Sequence, residues 1–186
     1  MHRVVSYVAD ENHFDRCRRN LKQTHCPHCH QVGFLICHGF LRGYGQHPTQ
    51  KFQRGWRVFC SNRGRREGCG RTHSILLATM LRRRMVSAGV VWSFFEGVLR
   101  GLHLLTAWLA VVTPFCTECA YRLWSAWKKS QTWIRSWLCR VVTPAVSSAG
   151  DFLRQSLDHL CRAFGSVPNP IAAFQLHFQK PFFPTR

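Results

Sequence analysis

Two rhythms run along this chain. Between residues 33 and 60, short apolar runs (Gly33-Phe34-Leu35-Ile36 and Trp56-Arg57-Val58-Phe59) are separated by polar, glycine-rich sequence, the pattern of strands joined by turns. From His73 the rhythm changes. Ile75, Leu76, Met80 and Leu81, then Val86, Val90, Trp92, Phe94, Phe95, Val98, Leu99 and Leu102 recur at three- and four-residue steps, which predicts amphipathic helix. Strands followed by helices make an α+β chain: a small β module and then an all-α bundle.

The helical pattern divides further. A short helix over 104–112 stops at Thr113-Pro114, and a longer one starts near Thr117, whose hydroxyl is placed to cap it with Glu118 in the first turn. In that helix Trp124, Trp127, Ile134 and Leu138 form a packed stripe. Arg122, Ser125 and Lys129 fall on another face, with Tyr121 and Lys128 at its margins. The stretch 141–150 reads as a linker, and 151–164 as a further helix carrying Phe152, Leu153, Leu157, Leu160 and Phe164. Val167-Pro168-Asn169-Pro170 then starts an extended tail ending in Phe182-Phe183-Pro184, aromatics that pack back or meet a protein partner. The boundaries are a lead-in over 1–25, a β module over 26–74, a helical domain over 75–145, and a C-terminal helix and tail over 150–186. No internal repeat is visible. Gly101 to Thr117 is uncharged with His103 neutral, but it is about 17 residues long and contains Pro114. It reads as a buried helix rather than a membrane span.

Ten cysteines change the picture. The N-terminus lacks the apolar core and cleavage pattern of a signal peptide, so the thiols read as reduced and cytosolic. Cys26-Pro27-His28-Cys29 places two thiolates on one tight turn, half of a tetrahedral site. Cys60 and Cys69 supply the other half across an unusually wide turn, with Gly64, Gly68 and Gly70 giving it a permissive backbone. The expected ligands of one structural Zn²⁺ are therefore Cys26, Cys29, Cys60 and Cys69, with Cys37, His38 and His73 as alternatives to Cys69. Cys17 and His25 are nearby and secondary. Cys116-Thr117-Glu118-Cys119 is a second C-x-x-C, but it lacks further ligands at such spacing and a βαβ setting, so it reads as small buried residues at a helix start.

Charge adds a partner. Twenty-six Lys and Arg against eight Asp and Glu give a formal +18, and residues 26–85 hold eleven basic and one acidic side chain. A polyanion follows. Arg63, Arg65, Arg66 and Arg71 would partly offset a tetrathiolate while facing phosphate, and Arg82-Arg83-Arg84 is either a solvated helix end or a phosphate contact.

Together, Cys26-Pro27-His28-Cys29, Phe59-Cys60-Ser61-Asn62 and Cys69-Gly70-Arg71-Thr72 resemble the N-terminal zinc ribbon of bacterial insertion-sequence transposases. Ala120-Tyr121-Arg122-Leu123-Trp124, with Ser130-Gln131 and Ile134-Arg135-Ser136-Trp137-Leu138, resembles the helix-turn-helix that follows such a ribbon. The resemblance covers roughly 26–140, apart from the wide second knuckle and the second C-x-x-C. It implies a cytoplasmic, nucleoid-associated protein that binds double-stranded DNA, and the residues placed for contact are Arg63, Arg65, Arg66 and Arg71 of the basic insert and Tyr121, Arg122, Ser125, Lys128 and Lys129 of the polar helix face. The family's nuclease carboxylates have no counterpart: after the ribbon only Glu96, Glu118, Asp151 and Asp158 remain, which implies no catalysis. Two rival readings follow from the aromatics. One is a protein-binding adaptor using Phe182, Phe183 and exposed tryptophans. The other is a single-strand binder stacking bases on Trp56, Phe59 and Tyr44.

Overall fold

A computed structural model of the chain describes residues 2–3, 6–45, 49–144 and 151–184. Where the sequence divides into four segments, the chain packs as two compact units, Met1–Met80 and Leu81–Arg186.

The first unit holds β1 (His2–Arg3), β2 (Tyr7–Val8), α1 (Glu11–Arg19), a 3-10 turn (Leu21–Gln23), β3 (Thr24–His25), β4 (Leu35–Tyr44), β5 (Lys51–Cys60) and β6 (Thr72–Leu77). Four strands form one sheet in the order β2-β6-β5-β4. β4 and β6 flank β5 antiparallel, and β2 joins β6 parallel. The lead-in is thus part of this unit. Asp10 caps α1 by accepting the His13 N–H at 2.7 Å, which sets Phe14 on the buried side. Its ring stacks on Trp56 of β5 at 4.0 Å and 7°. Val8, Leu21, Leu35, Val58 and Ile75 complete a small core around that stack.

One expectation from the sequence changes here. Ile75 and Leu76 do not begin a helix; they lie in β6, where Ile75 pairs with Trp56. The helical spacing to Met80 and Leu81 comes from a turn after the strand, and cross-strand burial overrides the local pattern. Gly39 to Gly55 forms the arms of a long hairpin, with the β4–β5 ladder running to Tyr44↔Lys51 through two register shifts and β4 mostly exposed. The hairpin tip, residues 46–48, lies outside the described residues.

The second unit is helical: α2 (Ala88–Leu99), α3 (Leu104–Leu109), α4 (Glu118–Leu138), α5 (Phe152–Phe164) and α6 (Pro170–Phe178). Ser87 caps α2 through the Val90 N–H. Val90, Val91, Trp92, Phe94, Phe95 and Val98 bury nearly the whole circumference of α2, which makes it the central helix. α4 presents Ala120, Leu123, Trp127, Ile134 and Leu138 to the same core. Trp124 is half-buried at its edge, against Phe95. Thr117 does not cap α4 with its side chain.

The tail is not extended. Asn169 accepts the Ala172 N–H at 3.0 Å and Pro170 occupies the first turn, where a missing N–H costs nothing, so the proline pair starts α6. Phe182 is fully buried, stacked on Trp127 at 5.7 Å and edge-on to Phe174. Its N–H donates to Gln175 Oε1 at 3.2 Å. Of the linker-like stretch, residues 145–150 lie outside the described residues. α5 nevertheless belongs to the bundle, since Leu157 and Leu160 are part of its core.

Phe182→Ala should therefore destabilise the helical unit by about 3–5 kcal/mol, the usual range for emptying a buried aromatic site. Urea unfolding followed by tryptophan fluorescence checks this. A loss under about 0.5 kcal/mol would be the behaviour of a solvated tail.

Candidate metal centre

Cys26 and Cys29 sit on the turn after β3, Cys60 ends β5, and Cys69 precedes β6. The first turn is closed by its own backbone. The Cys26 N–H donates to Gln31 O at 2.9 Å, and the His30 N–H donates to Cys26 O at 3.0 Å. The second turn shows how eight intervening residues are accommodated. Gly68 N–H donates to Ser61 O at 3.1 Å, and Gly70 N–H donates to Cys60 O at 3.0 Å. Residues 62–67 therefore form a lobe that leaves and returns at one point, and the effective turn is short. A Cβ on Gly68 would lie 2.3 Å from Ser61 O, and Gly70 has φ +69°, so both positions need glycine.

The four sulfurs converge. Cys26 Sγ lies 3.7 Å from Cys69 Sγ, and Cys29 Sγ lies 3.8 Å from Cys60 Sγ. All four lie within 4.8 Å of one another, close enough to hold a metal ion. Zn–S bonds of about 2.3 Å in a tetrahedron require S···S distances of about 3.8 Å, so the spacing is compatible with a single zinc ion. Among the described residues this is the one group of three or more side chains gathered at metal-binding distance. Cys37, His38 and His73 are not in it: Cys37 and His73 both sit opposite Val58, on the two ladders flanking β5, and His38 is set against the Phe59 ring.

The surroundings pull the sulfurs in opposite directions, with N–H donors favouring thiolate and burial favouring thiol. His28 N–H points at Cys26 Sγ at 3.4 Å, and Cys69 N–H points at Cys60 Sγ at 3.3 Å. A hydrogen bond from the Gln31 backbone holds the Cys29 thiol down at about 7, while burial raises Cys26 and pushes Cys60 up to about 12. A metal that binds thiolate must therefore displace protons from Cys26 and Cys60 at neutral pH. Gln31 and Ser61 escape a sequence reading because their contributions come from the backbone. Gly68 is marked in the sequence.

Arg63, Arg65, Arg66 and Arg71 are all exposed around the Cys60–Cys69 turn. Tyr121, Arg122, Ser125, Lys128 and Lys129 share the exposed side of α4. The segment ahead of α4 is longer than the gap between a helix over 104–112 and one starting near Thr117, since α3 ends at Leu109 and eight residues, 110–117, intervene. The aromatics are placed differently from either rival reading. Trp56 is buried under Phe14, Phe59 is 8% exposed, and Tyr44 alone of that trio is exposed. None of the seven tryptophans is exposed, and Phe182 and Phe183 are core residues. Among the described residues, no helix is long and apolar enough to cross a membrane. No protein-family model, curated protein or solved structure matches this chain.

Elemental analysis of purified protein should show Cys69→Ser losing bound metal and Cys37→Ser retaining it. Retention by Cys69→Ser would remove Cys69 from the site. Because at least two thiol protons are displaced, zinc affinity should fall by about a hundredfold or more for each pH unit below 7. Competition with a chromogenic chelator from pH 7 to 5.5 measures that slope.

Proposed function

We propose that this chain is a non-catalytic DNA-binding protein of bacterial mobile-element type, stabilised by one structural zinc on Cys26, Cys29, Cys60 and Cys69. The observation that carries the reading is the arginine lobe. Arg63, Arg65 and Arg66 project from a loop whose two ends are pinned by the sulfur cluster. A loop held at both ends presents its charges with little ordering cost, which suits phosphate contact. Four thiolates fill a tetrahedral shell and leave no position for a reacting water, so the metal's role is structural.

In this reading the ribbon-like unit grips the backbone. The exposed face of α4, with Tyr121, Arg122, Ser125, Lys128 and Lys129, lies in a major groove in the manner of a helix-turn-helix recognition helix. Exposure of all five residues supports it. So does the +18 formal charge, which draws the protein to nucleic acid wherever in the cell it meets it. The aromatic rivals lose support because their side chains are mostly core.

Two measurements test the proposal. With about five phosphates neutralised, log affinity for duplex DNA should fall against log salt with a slope of roughly −4 to −5, and Arg65→Ala should flatten it by about one. A slope near zero would overturn the electrostatic contact. Selection from a random duplex pool should enrich a motif that Arg122→Ala weakens. Retention without enrichment would reject α4 as a reader of sequence.

A further inference from the structure

Cys116 and Cys119 stand outside the metal centre, and the fold brings them together. Cys116 is exposed just ahead of α4, Cys119 is half-buried in its first turn, and their Sγ atoms are 4.0 Å apart. Cys119 N–H donates to Cys116 O at 3.1 Å, which holds the turn between them. Contraction to an S–S bond of about 2.05 Å is a short movement from that starting point. Cys119 also lines a groove of about 250 Å³, whose walls carry Met85, Phe115 and Leu123 together with the basic side chains of Arg83, Arg84 and Arg122. Residues far apart in sequence thus put positive charge and apolar surface beside a dithiol.

We propose that Cys116 and Cys119 are a redox-active pair that reduces small anionic disulfides of the glutathione class, attracted by Arg83, Arg84 and Arg122. Cys116 is the solvent-facing sulfur, and it attacks first. Its thiolate displaces one RS⁻ from RS–SR, giving Cys116–S–SR. The Cys119 sulfur, after losing its proton, attacks the Cys116 sulfur and expels the second RS⁻. The net change is RSSR plus two protein thiols giving two RSH and one Cys116–Cys119 disulfide, a balanced two-electron exchange. Burial raises the Cys119 thiol and so lowers its thiolate fraction, which proximity to the mixed disulfide offsets in the second, intramolecular step.

The test uses the reduced, zinc-loaded full chain exposed to glutathione disulfide, followed by differential alkylation and peptide mass spectrometry. A Cys116–Cys119 disulfide is expected to form ahead of glutathione adducts on Cys37 and Cys139, which are also exposed. Cys119→Ser should trap glutathione on Cys116. Cystamine, a cationic disulfide, should react at least about tenfold more slowly, and Arg83→Ala should narrow that gap. Absence of the Cys116–Cys119 disulfide in the unaltered chain would overturn the proposal, as would adducts on Cys37 and Cys139 appearing equally fast. Equal rates with cystamine would overturn the role of the arginines.

Discussion

The first unit depends on the meeting of four sulfurs. Its apolar core is small: Phe14 on Trp56, with Val8, Leu21, Leu35, Val58 and Ile75 around them. Modules of this size need a cross-link to stay folded. Cys26 and Cys60 are buried members of that same core, so the cluster continues the hydrophobic packing. It joins the turn after β3, the end of β5 and the approach to β6. Those connections hold the two ends of the arginine lobe, which is further ordered by Arg63 over the Phe59 ring and the Arg66 N–H bond to Arg63 O.

The second unit is held together differently. Its stability comes from aromatic burial: α2 is enclosed on nearly every side, and Trp127 lies between Phe95 and Phe182. The chain's C-terminal aromatics fill that core from the far end of the sequence. One consequence is that the outer face of α4 is free of packing duty. Its polar and basic residues are displayed on a helix of 21 residues.

Much of this was legible in the residues. Cys26-Pro27-His28-Cys29 pointed to half a metal site because a second pair, Cys60 and Cys69, follows it beyond two strand-like runs. The exposed face of α4 followed from 3.6-residue periodicity over 21 residues. Other features were hidden for identifiable reasons. β6 looked helical because a six-residue strand followed by a turn reproduces three- and four-residue spacing. The tail looked extended because prolines break helices, yet Pro170 sits where a helix tolerates one. Its phenylalanines looked available because sequence does not show which surfaces meet.

Local chemistry determined the residue types: which cysteines could bind metal, which helix face was basic, and that a module built on strands would precede a helical one. Tertiary structure decided the choices among equals. It selected Cys69 over Cys37, His38 and His73 because the Ser61–Gly68 pairing folds an eight-residue insert back to one point. It buried Trp56 rather than displaying it, and it set Cys119 beside Arg83, Arg84 and Arg122. Each of these depends on long-range closure. Spacing along a chain limits which residues are able to meet, while packing density and backbone hydrogen bonding settle which of them do.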